Sequence, residues 1–83
     1  MLSDYIEKVR ALEAKAATPE STREALRAEL DAMNLDKLTK DNLVAIAREL
    51  GRQATAKTTK PQAVDIIRRV VLERKEILES AIS

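Results

Sequence analysis

The fold turns on three adjoining stretches: LTKDNLVAIARELG (Leu38 to Gly51), RQATAKTT (52–59) and KPQAVDII (Lys60 to Ile67). In the first, Leu43, Ile46, Ala47 and Leu50 recur at i, i+3, i+4 and i+7, the period of a helix with one apolar face. Thr39 stands where an N-cap belongs, and Leu38 and Leu43 occupy the two positions of a hydrophobic staple. Gly51, the only glycine of the chain, falls where a left-handed residue closes a helix. Residues 52–59 have alanine as their one apolar type and no helical stripe, which predicts an extended connector. Lys60-Pro61 then opens a second helix, because proline in a first turn lacks only an amide proton that needs no partner there. The pattern is helix, extended connector, helix.

Downstream, that second helix is expected to run for about 22 residues, or about 33 Å. It carries two adjacent apolar stripes: Ala63, Ile66, Val70, Ile77, Ala81, and Val64, Ile67, Val71, Leu78, Ile82. Both skip a turn near Glu73 and Arg74. Its first half is expected to pack on the preceding helix, and its second half on the N-terminal part of the chain.

Upstream, Leu35 to Leu38 reads as a short link. Before it, Thr18-Pro19-Glu20 has the chemistry of a break and restart: a capping hydroxyl, a first-turn proline and an acid that suits the helix dipole. The helix it predicts buries Leu26, Leu30 and Met33, with Ala25 beside them. In the first segment, Ser3 and Asp4 offer a cap and an early acid. Leu2, Tyr5, Val9, Leu12 and Ala16 step by 3, 4, 3 and 4, with Ile6 widening the seam. A tight turn joins these two segments into an antiparallel helical hairpin. The expectation is a single all-α domain over residues 1–83, a small bundle of four helices near 3–17, 19–34, 39–50 and 60–82. Leu26, Leu30, Leu43, Ile46, Leu50, Ile67 and Val71 are its expected core.

Composition narrows the function. At 83 residues the chain is close to the smallest size at which one core folds unaided. It has no cysteine and no histidine, which removes disulfides, thiolate chemistry, the usual zinc ligands and the commonest general base. One glycine cannot build a glycine-rich phosphate loop. The carboxylates interleave with cations at helix-surface spacing, as in Glu20 and Glu24 beside Arg23 and Arg27, and a solvated face explains them. No catalytic residue, metal or cofactor is expected, so the chain reads as a binding protein. No apolar run approaches the roughly 18 residues of a membrane span. An intracellular protein with no membrane partner is expected, cytoplasmic or in the nucleoid or nucleus.

Net charge is only +1, but it is unevenly spread. Residues 1–36 carry five Lys/Arg and eight Asp/Glu, whereas residues 37–83 carry ten and six. Between Glu49 and Asp65 there is no acid, while Arg52, Lys57 and Lys60 fall in that gap. The division into an acidic hairpin (1–36) and a basic helix–connector–helix (37–83) suggests two roles in one chain.

Two DNA-binding templates bear on the basic half. In a helix-turn-helix, AIARELGRQ offers Ala47 and Gly51 at the spacing of a tight helix crossing. The recognition helix would then put Lys57 where an apolar core residue is needed and Pro61 in its interior, so this template fails. In the second template, LTKDNLVAIARELG, the basic connector and KPQAVDII resemble the SAP motif. They also resemble its relative, the N-terminal helical subdomain of the Rho termination factor, a likeness that MNLDKL strengthens. The resemblance spans 34 residues, Leu38 to Val71. It departs from SAP at Arg52, usually apolar, at Ala56, often glycine, and in a connector about two residues longer, closer to Rho-like spacing. It implies nucleic-acid binding, with duplex DNA favoured and RNA the variant.

The residues themselves suggest the same contact. Lys57, Lys60, the hydroxyls of Thr55, Thr58 and Thr59, and free amides at the start of the last helix are the usual makings of a phosphate clamp, with Arg48 and Arg52 extending it. Without an aromatic in this half, base stacking has no platform. The alternative is a protein-interaction or dimerisation module. The acidic hairpin would be its partner surface, and Leu72, Ile77 and Ile82 a homodimer seam.

Overall fold

A computed structural model describes the backbone of residues 2–82 and the side chains of residues 2–81; that of Ile82 lies outside the described residues. Four helices form, α1 (Leu2–Ala16), α2 (Arg23–Ala32), α3 (Lys40–Glu49) and α4 (Lys60–Ile82), with a 3-10 turn at Leu35–Lys37 and no strand among the described residues. The chain is a small all-α domain, as its periodicity predicts.

Helix α1 begins one residue earlier than expected, so Ser3 lies inside the first turn, and Asp4 remains as its acid. Helix α2 differs more. Thr18 does not cap it, because its hydroxyl donates to the Lys15 carbonyl at 2.7 Å and its amide to the same oxygen at 3.0 Å, which closes α1. Pro19 and Glu20 form a turn, Ser21 is buried, and Thr22 becomes the cap, accepting from the Ala25 amide at 3.1 Å. The restart thus moves from Pro19 to Arg23. At the other end Asn34 takes the left-handed conformation (φ 53°), and the helix stops at Ala32. The link that follows buries Leu35. Ala25, placed beside the α2 core, is exposed instead.

Helix α3 follows its local signals. Thr39 accepts from the Asn42 amide at 3.3 Å. Gly51 has φ +81°, and the Arg52 and Gly51 amides reach back to the Ala47 and Arg48 carbonyls, each at 3.0 Å. This paired closure is the Schellman motif, and it needs a positive φ that glycine adopts without strain. Leu50 sits at the C-cap and is half-buried, outside the core proper.

Long α4 is the spine. Val9, Leu12, Ala16, Leu26, Leu30, Leu43, Ile46, Ala63, Ile67 and Val71 pack in one core around it. Contacts along α4 set the direction of every other helix. Lys75 Nζ meets the Thr18 carbonyl at 3.1 Å, and Arg10 reaches the Glu49 carbonyl at 3.3 Å, so α1 runs parallel to α4 and packs along much of it. Arg23 pairs with Glu79 at 2.8 Å and Arg68 with Asp31, so α2 runs antiparallel. Lys40 Nζ donates to the Ala56 carbonyl at one end, and Arg52 pairs with Glu73 at 3.1 Å at the other. Helices α3 and α4 are therefore parallel, and the connector returns between their ends.

In the second apolar stripe the skipped turn, between Val71 and Leu78, is filled by Lys75, which is 4% exposed. Its stem packs in the position an apolar residue would take, and its ammonium serves the end of α1. Past it, Ile77 and Ala81 are exposed and Leu78 half-buried. The second half of α4 therefore meets the hairpin on one side, where Lys75 reaches Thr18 and Arg23 reaches Glu76 and Glu79, while its Ile77 and Ala81 side overhangs into solvent.

Candidate nucleic-acid interface

Connector residues 52–59 are held at both ends and in the middle. Gly51 releases the chain from α3, and Ala54 inserts into the core at 7% exposure. Past Ala54 the chain makes a tight turn: the Thr58 amide donates to the Thr55 carbonyl and the Thr55 amide to Thr58 Oγ1, each at 3.0 Å. The Lys57 amide adds a bond to Thr55 Oγ1 at 3.2 Å. Thr59 and Gln62 then form a reciprocal cap on α4. Gln62 donates its amide to Thr59 Oγ1 at 3.3 Å, and Thr59 donates its amide to Gln62 Oε1 at 3.0 Å.

This cap corrects one expectation. The first turn of α4 does not present a set of free amides to a ligand. The Gln62 and Ala63 amides are both bonded to Thr59, and Pro61 has none to offer. An open helix N-terminus is therefore not part of the site.

Cations divide into two groups. Lys57 and Lys60 are exposed on the connector turn and the first residue of α4, with no ion pair among the described residues. Lys40, which the sequence reading did not select, joins them through its bond to the Ala56 carbonyl. Arg52 lies elsewhere. Its partner Glu73 is thirteen residues beyond Lys60 on α4, about 20 Å along the axis at 1.5 Å per residue. Arg48, exposed in the last turn of α3, belongs to that far end as well. The structure therefore brings together Thr55, Lys57, Thr58, Thr59 and Lys60, adds Lys40, and leaves Arg48 and Arg52 outside. Asp36 and Asp65 border Lys60 in the shallow depression it shares with Pro61 and Arg68, which weakens the positive field on that side.

What remains at the near end is a surface of donors. Thr55, Thr58 and Thr59 each use one oxygen lone pair to accept an amide, which leaves each hydroxyl proton to give. Three ammonium groups add further donors, and the Ala56 carbonyl beside them is already bound to Lys40. An acceptor-only anion such as a phosphodiester matches this arrangement.

No pattern in the sequence alone selects Lys40, because its distance from the connector depends on how the connector returns. Comparison with family models, curated proteins and solved structures finds no match for this chain.

Proposed function

We propose that this chain is a non-enzymatic nucleic-acid-binding module that grips the phosphate backbone of duplex DNA weakly and with little sequence preference. The observation that carries the reading is the convergence of Lys40, Lys57 and Lys60 with three threonine hydroxyls still able to donate, on a connector already held in shape. A connector ordered beforehand loses little conformational entropy on binding. The SAP-like and Rho-like resemblance over Leu38 to Val71 agrees with the same surface. Nothing on it is placed to read base edges, so its contacts are to phosphate and sugar.

The test is an NMR titration of labelled protein with a short duplex at low salt. Shifts clustered over residues 54–62 and at Lys40, lost in a Lys57→Glu/Lys60→Glu double variant, support the reading. Shifts confined to residues 3–34, or none, overturn it in favour of a protein-interaction module without nucleic-acid contact. Single-stranded RNA of equal length separates SAP-like from Rho-like behaviour. One observation favours the protein-interaction reading as a second role: Ile77 stands 63% exposed on the overhanging end of α4.

A further inference from the structure

Among the described residues, one large apolar side chain stands in solvent, and a surface groove has a largely apolar floor. The side chain is Ile77. The groove, of about 410 Å³, lies between α1 and α2, with Ala11, Leu12, Ala32 and Met33 as its floor and Lys8, Lys15 and Glu29 on its rim. Knob and groove cannot meet within one molecule. Lys75 points into the hairpin turn, and Ile77, two residues on, is rotated about 200° around α4, away from the hairpin.

The two surfaces carry charges that complement one another in part. Ile77 shares its depression with Glu73, Glu76 and Ser80, so the knob is flanked by carboxylates. Across the groove rim Lys8 has no ion pair among the described residues, and Lys15 holds only a half-exposed contact with Glu29 at 3.0 Å. Glu76 is correspondingly loose, at 3.8 Å from Arg23 and with its side chain 60% exposed. Glu73 is held by Arg52, yet its side chain keeps 42% of its surface open.

We propose that the α1–α2 groove receives Ile77 of a second copy of this chain, with Glu76 of the incoming helix beside Lys8 and Lys15. A single contact joins two different patches and leaves one knob and one groove unfilled, so the assembly grows as an open chain, closes as a ring or, where the contact is made reciprocally, stops at a two-fold dimer. One side chain and a charged rim bury far less than the roughly 1,200 Å² of a stable interface, so the association is weak and reversible. The inference stands apart from the phosphate-binding surface and needs no nucleic acid.

Sedimentation velocity on the full chain tests it with two single variants, each checked for a cooperative melt. Ile77→Glu removes the knob at an exposed position, and Ala32→Glu blocks the groove at another. For the parent chain, the expected result is a weight-average mass that rises with concentration up to about 1 mM, the weak end of the affinity scale, and that falls when salt is added. Each variant alone stays monomeric. An equimolar mixture forms a dimer and nothing larger, because only one knob and one groove survive between the two chains. A parent monomeric throughout, association that persists in Ile77→Glu, or a mixture that fails to form the dimer would each overturn the proposal.

Discussion

Lys75 Nζ donates to the Thr18 carbonyl at 3.1 Å, and this bond ties the middle of the longest helix to the turn of the N-terminal hairpin. The same carbonyl accepts the Ser21 hydroxyl at 3.0 Å. With the Ser21 amide, which reaches it at 3.4 Å, the two buried side-chain donors share one acceptor at the end of α1. The arrangement puts a positive charge where the α1 dipole is negative. It also brings an ammonium out of water, which costs more than a neutral donor does.

Sharing makes the two donors redundant, and this can be measured. Lys75→Met keeps the packed stem and leaves Thr18 bonded to Ser21, so a change within about 1 kcal/mol is expected. Ser21→Ala alone is similarly mild. The double variant leaves the carbonyl only the long bond from the Ser21 amide at 3.4 Å, and its cost should exceed the sum of the single costs by about 1 kcal/mol. Urea melts on the four proteins check this, and strict additivity would show that the donors act independently.

Ile46 and Ile67 are fully buried where α3 meets α4. Truncating either to alanine removes packed methyl groups and leaves a void, at about 2–5 kcal/mol each. For an 83-residue domain that is a large share of total stability. Melts showing less than about 1 kcal/mol for both would place the core elsewhere.

A Cβ added at Gly51 would meet nothing within 4 Å, so substitution there acts through the backbone alone. Gly51→Ala is expected to cost about 1–2 kcal/mol, the penalty of an L-residue in the left-handed region. Denaturation midpoints give the value, and a neutral result would mean the α3 terminus relaxes into another closure.

Removal of the overhang separates the two halves of distal α4. A chain ending at Glu76 keeps Lys75 on Thr18 and loses Ile77, Leu78 and the Arg23–Glu79 pair. It should still melt cooperatively, with a loss of about 1–2 kcal/mol from the half-buried leucine and a surface ion pair. Ending the chain at Glu73 also removes Lys75 and uncovers the hairpin turn. Loss of a cooperative transition is expected only for this shorter protein, and calorimetry on both decides.

Salt dependence distinguishes the near cations from the far ones. With three lysines at phosphates, the log–log slope of duplex affinity should be about −3, and Lys57→Gln or Lys60→Gln should each reduce it by about 1. Arg48→Gln and Arg52→Gln should leave it unchanged. An equal effect of the arginines would mean the duplex lies along the full length of α3 and not across the connector turn.

By itself the sequence determined what depends on neighbours along the chain. Thr39 and Gly51 closed α3 at the expected residues, because a cap hydroxyl and a left-handed glycine act over three to five positions. The period of Leu43, Ile46 and Ala47 likewise foretold their burial. Local chemistry pointed to Thr18-Pro19-Glu20 as the start of α2, and there it failed, because Thr22 caps the helix. The choice fell to the burial of Ser21 and the lysine arriving from residue 75, fifty-seven positions away. The basic residues divided for the same reason. Arg48, Arg52, Lys57 and Lys60 are close in sequence, but parallel packing of α3 and α4 put Arg52 beside Glu73 and Lys40 beside Ala56. Spacing along the chain specifies which face of a helix a residue occupies. Which faces meet, and therefore which charges gather, was decided only when the core closed around α4.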